Sequence, residues 1–91
     1  MKFQIGQLVA TRRINDDMAK DKVFANEITM CLTRFKNCDW GDTSDNDKML
    51  NDDAAASGDR ILAAYETTKG RIWILTEQGG MVTTVLYPDE Y

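Results

Sequence analysis

Hydrophobic positions change their spacing once along the chain, and the change divides it into a helical part and a strand part. Phe24, Ile28, Cys31, Leu32 and Phe35 recur at steps of three and four, the period that gathers apolar side chains on one stripe of a helix. Lys20, Lys22, Asn26, Glu27, Thr29 and Arg34 fill most of the opposite face. Asn15, Asp16 and Asp17 offer capping groups ahead of that stripe, and acids for a first turn where the helix dipole favours them. The spacing predicts a helix from about Asp16 to about Lys36. Asp21 is able to recap the chain, which leaves a break near Lys20 open.

A turn cluster follows, Asn37-Cys38-Asp39-Trp40-Gly41-Asp42. Ser44 then stands as a cap with Asp47 three positions on, an acidic variant of the capping box. Met49, Leu50 and Ala54 give a short apolar stripe, and Gly58 sits where a left-handed residue ends a helix. A second, shorter helix is expected from about Asp45 to Ser57.

Beyond residue 60 the period becomes two. Residues 60–66, 71–77 and 81–87 read as strands, rich in β-branched and aromatic side chains and separated by glycine-containing turns. Ile72 and Ile74 share one face of the middle strand while Trp73 and Leu75 share the other, so both faces are apolar. A central strand covered by helices on one side and partly covered on the other accounts for that. Residues 3–10 read as a short strand or an extended segment. The expected architecture is α+β: two N-terminal helices packed on a C-terminal three-stranded antiparallel β-meander, with the short N-terminal strand left open. All of it fits one compact domain, residues 1–91, since a chain of this length buries a single modest core.

Composition narrows the chemistry more than the fold. There is no histidine, which removes Ser-His-Asp and Cys-His catalysis and the commonest metal ligand. Two cysteines, Cys31 and Cys38, cannot complete a structural zinc site without further ligands. No apolar run approaches the roughly 18 residues of a membrane span, and the start of the chain lacks the apolar stretch of a signal peptide. A cytoplasmic protein with reduced thiols is therefore expected.

The formal charge of −4 is unevenly distributed. Residues 1–38 carry seven Lys and Arg against four acids, whereas residues 39–59 carry seven Asp against Lys48 alone. Phosphate repulsion opposes general binding to nucleic acid or anionic membranes, while the acidic block attracts a basic partner.

Several pieces carry a family resemblance: Gly6-Gln7-Leu8-Val9-Ala10-Thr11-Arg12, Asp39-Trp40-Gly41-Asp42, Gly58-Asp59-Arg60-Ile61, Arg71-Ile72-Trp73-Ile74, and the closing Leu86-Tyr87-Pro88-Asp89-Glu90-Tyr91. With them the chain resembles a family of small, functionally uncharacterised proteins of bacterial mobile elements and phages, labelled plasmid-related. The resemblance implies a genomic setting and no catalytic residues. Two departures stand out. Relatives typically have glycine where this chain has Cys38, and many carry a charged Arg-Ser turn in place of Gln78-Gly79-Gly80-Met81.

The acidic block admits several chemistries. An EF-hand-like site fits poorly, because Asp42, Asp45 and Asp47 occupy the first, fourth and sixth loop positions and no glycine takes the sixth. A surface for a basic partner and a solvated, capped helix face both fit. Trp40, between Asp39 and Asp42, is an anchor for a partner or a plug between helix and sheet. A carboxylate-based enzyme would need Glu66 and Glu77 together, yet the hairpin register sets Glu66 beside Arg71 and favours an ion pair.

The resulting expectation is a small acidic non-enzymatic binding protein without metal or cofactor. Its target is a protein or nucleoprotein with a basic surface, met by Asp39, Trp40, Asp42, Asp45, Asp47, Asp52 and Asp53. Together with the resemblance, this points to an inhibitor of a host defence system, of the anti-CRISPR or anti-restriction kind. The alternative is an accessory module of the element that assembles with itself, a homodimer for example, or with another protein through the meander's edge strand.

Overall fold

The computed structural model describes residues 3–91. The chain runs β1 (Gln7–Ala10), α1 (Arg12–Lys20), α2 (Lys22–Lys36), α3 (Asp45–Ser57), β2 (Ile61–Thr67), β3 (Gly70–Thr76) and β4 (Val82–Leu86), with a last 3-10 turn over Pro88–Glu90. Three helices replace the two expected. The long helix breaks at Asp21, whose carboxylate accepts the Val23 and Phe24 amides at 3.0 and 3.2 Å and starts α2 afresh. The first helix also begins before Asp16: Thr11 is its cap, accepting the Ile14 amide, and Asn15 reaches back to the Ala10 carbonyl. The shorter helix occupies the expected span, with Ser44 accepting the Asp47 amide and Gly58 in the left-handed region at φ 82°.

The three C-terminal strands pair antiparallel in chain order, but the sheet is four-stranded and mixed. Its order is β1-β4-β3-β2, and β1 lies parallel to β4 with Gln7 opposite Val82 and Ala10 opposite Val85. The buried Thr83 hydroxyl fixes this arrangement, donating to the Ile5 carbonyl at 2.7 Å and meeting the Thr76 hydroxyl at 2.7 Å. The meander therefore has no open edge at β4.

The helices cover one face of the sheet. Ile14 of α1 and Phe24, Ile28 and Phe35 of α2 are buried against Ala63, Tyr65, Ile72, Ile74 and Val85. Strand alternation turns Leu62, Ala64, Trp73, Leu75, Thr84 and Leu86 to the other face, which the chain's last residues approach. There Tyr91 meets Trp73 edge-on at 5.6 Å and Arg60 bonds the Tyr91 hydroxyl. The rest of the closing motif latches onto α1: Asp89 pairs with Arg13, and Glu90 accepts the Thr11 hydroxyl and the Tyr87 amide. No helix among the described residues is long and apolar enough to cross a membrane.

Candidate functional site

The loop from α2 to α3 is built by four consecutive residues, each with a structural task. Asp39 forms a two-pronged pair with Arg34 at 2.8 and 3.1 Å and also accepts the Gly41 amide. Donation by Arg34 holds its carboxyl below the usual carboxylate range. The Asp39 carbonyl in turn accepts the buried Tyr65 hydroxyl at 2.7 Å. Trp40 is 3% exposed, packed with Phe3 and Phe35, and its indole N–H donates to Asp52 at 2.9 Å. Gly41, at φ 67°, lies so close to β2 that an added Cβ would fall 2.3 Å from the Ala64 carbonyl oxygen. The Asp42 amide then donates to that same oxygen at 2.8 Å.

Trp40 therefore occupies the plug position between helix and sheet, where a partner has no access to it. Asp39 is matched by Arg34 and Asp52 by the indole. Four of the expected partner-binding residues, Asp42, Asp45, Asp47 and Asp53, are exposed and form no ion pair with a described residue. Nor do the carboxylates make a single acidic face. Asn51 and Ala54 mark the inward side of α3. At 100° per residue, Asp47 lies in line with Asn51 and Ala54 at the start of that inward side, while Asp45 points away from the protein with Asp52 and Asp53 to either side of it.

Asp47 borders the outer face of the sheet. Asp42, Thr43, Asp47, Leu62, Arg71 and Trp73 line a cleft of about 230 Å³. Its one cation, Arg71, is already bound to Glu66 at 2.6 Å. Asp42 and Asp47 thus face a half-buried indole with no counter-ion of their own. Leu50 and Met49, 57% and 68% exposed, extend the apolar surface along α3. Of the apolar stripe expected on this helix only Ala54 is buried, and spacing along the chain does not set Trp73 beside the acidic residues. The available signal was the apolar outer face of β3, which required something to border it.

Glu66 and Glu77 do not meet. Glu66 pairs across from Arg71 at one end of the hairpin, while Glu77 follows Thr76, opposite Ile61, at the other. Burial raises the pKa of both the Cys31 and Cys38 thiols, which keeps them protonated and weakly nucleophilic. Cys38 itself lies at φ 62°, in the left-handed region that favours glycine. Among the described residues no group of three or more His, Cys, Asp or Glu side chains is placed to hold a metal ion. No protein-family model matches the chain, and no curated protein or solved structure matches it either.

Proposed function

We propose that the chain is a small, acidic, non-enzymatic binding protein whose α3 end engages a basic surface on a protein or nucleoprotein target. The observation that carries this reading is the pairing of unmatched carboxylates with exposed apolar side chains: Asp42 and Asp47 beside Trp73, and Asp53 beside Met49 and Leu50. An arginine from a partner fits such a surface doubly, its guanidinium accepted by carboxylates and stacked on an indole. A pI near 4.6 directs that contact to protein and away from bare nucleic acid. The resemblance to proteins of mobile elements suggests a bacterial host as the setting, and that setting, taken with the small size and the acidic surface, favours inhibition of a host defence effector that itself binds nucleic acid.

The test is a pull-down from nuclease-treated and untreated bacterial lysates containing CRISPR and restriction systems, read by mass spectrometry. The native chain is compared with a variant carrying Asp42→Lys, Asp45→Lys, Asp47→Lys and Asp53→Lys. Asp39 and Asp52 are left alone because the fold uses them. A defence effector recovered near stoichiometry by the native chain, and lost by the variant with its melting temperature unchanged, supports the reading. Equal recovery by both removes this surface from the account.

A further inference from the structure

The two edges of the sheet are finished differently. At β2 the outward backbone groups around Ala64 are closed: Asn51 donates to the Leu62 carbonyl at 2.9 Å, Thr43 accepts the Ala64 amide, and the Ala64 carbonyl takes the Asp42 amide. At β1 they are not. Gln7 and Thr11 donate to the Met81 and Val85 carbonyls of the β4 side. In a parallel ladder this turns the odd-numbered residues of β1 inward and Leu8 and Ala10 outward. Asn15 closes the Ala10 carbonyl at 3.2 Å. The Leu8 amide, the Leu8 carbonyl and the Ala10 amide have no partner among the described residues.

Beyond Asn15, no described residue closes this edge. Protein sheets usually guard such strands with charge, proline or a covering loop, yet residues 3–11 contain no charged residue and no proline. Leu8 and Val9 are 45% and 38% exposed. Beside the edge lies a cleft of about 440 Å³ roofed by Met18, Ile28 and Leu32.

We propose that β1 pairs antiparallel with β1 of a second copy of this chain, making one continuous eight-stranded sheet about a two-fold axis at Leu8. A second copy fits because the edge is self-complementary: Leu8 offers one donor and one acceptor, so each Leu8 bonds the other reciprocally. In that register Gln7 opposes Val9 of the second copy and Arg12 opposes its Gln4. No like charges meet, and no charge pattern selects a foreign strand. An axis normal to the sheet sets both helical layers on one side and the two clefts next to each other, covering both Leu8 side chains. Because α3 packs on β2, at the far edge, the dimer carries one acidic end at each extremity and leaves both accessible. The pairing is thus independent of the binding role proposed above.

The test is sedimentation velocity from micromolar to millimolar concentration, joined to amide exchange. The native chain should shift from 10.3 kDa to twice that mass. The Leu8 and Ala10 amides should slow as the dimer fills, while the Val9 amide, bonded to β4, stays protected throughout. Leu8→Pro removes the outward amide without breaking a β1–β4 bond, since proline is tolerated where an edge amide faces solvent. It should raise the dimer dissociation constant by at least about tenfold, which corresponds to about 1.4 kcal/mol over the two reciprocal hydrogen bonds it removes. Leu8→Lys, which sets two cations at the axis, should do the same, and it covers the case in which the proline variant fails to fold. A monomer at every concentration, or a dimer whose Leu8 and Ala10 amides exchange as in the monomer, overturns the proposal.

Discussion

Helices α2 and α3 are of similar length and opposite character. In α2, Phe24, Ile28, Cys31 and Phe35 are buried on one stripe, and Arg34 and Lys36 suit its C-terminal end. In α3 only Asn51 and Ala54 are buried, its last turn carries no base, and four of its residues are Asp, a poor helix former away from the first turn. What holds α3 is polar and local: the Ser44 cap, the Gly58 terminus, the bond from Trp40 to Asp52, and the bond from Asn51 to Leu62. The comparison teaches that one helix is specified by the core it completes, while the other is attached at a few points. The sequence of α3 is thereby left open to the demands of a surface.

Four substitutions break or sharpen that contrast, beyond the charge-reversed and edge-strand variants already described. Phe24→Ala should cost about 3–5 kcal/mol in urea unfolding, since it empties a fully buried aromatic site in α2. Leu50→Ala, on α3, should stay within about 0.5 kcal/mol, as surface positions do. Comparable losses at the two sites would show that α3 is held by packing after all.

Asp52→Ala should cost about 1–3 kcal/mol, because it strands the largely buried Trp40 indole N–H. A double-mutant cycle with Trp40→Phe isolates this link, and zero coupling would mean that α3 is not fastened there.

A further small effect concerns pH. Arg34 depresses the Asp39 pKa, so this pair stabilises the fold above the unfolded carboxylate value, near ~3.9. Its contribution disappears as pH falls through the lower, folded value. Both side chains are about half exposed, so Arg34→Gln should cost at most about 1 kcal/mol at neutral pH. The difference from the native chain should vanish in strong acid. A loss that persists there would assign the effect to the Arg34 stem over the Tyr65 ring, where the guanidinium carbon lies 5.2 Å from the centroid.

Much of this was legible in the residues. The stripe of α2, the Ser44 and Gly58 ends of α3 and the three-strand meander follow from spacing and capping chemistry, which act within a few residues. The start of α1 was missed because Thr11 caps it while Asn15, Asp16 and Asp17 look like better caps in isolation. Choosing Thr11 requires knowing that Ala10 ends a strand and that Glu90, from the far end of the chain, accepts the Thr11 hydroxyl. The candidate site was half legible. Composition located the acidic block, but spacing alone could not show that Arg34 and Trp40 occupy Asp39 and Asp52. Nor could it show that Trp73 borders Asp42 and Asp47.

The sequence by itself determined the order and kind of most elements, the absence of histidine chemistry and the strong acidity of residues 39–59. Those properties reside in single residues or in neighbours a few positions apart. The tertiary structure alone decided that β1 joins β4 in parallel, which leaves β1 as the uncapped edge. It also decided which carboxylates are matched internally and which face outward. These depend on contacts between residues up to 79 positions apart, and pairing over such distances is set by how the whole core closes.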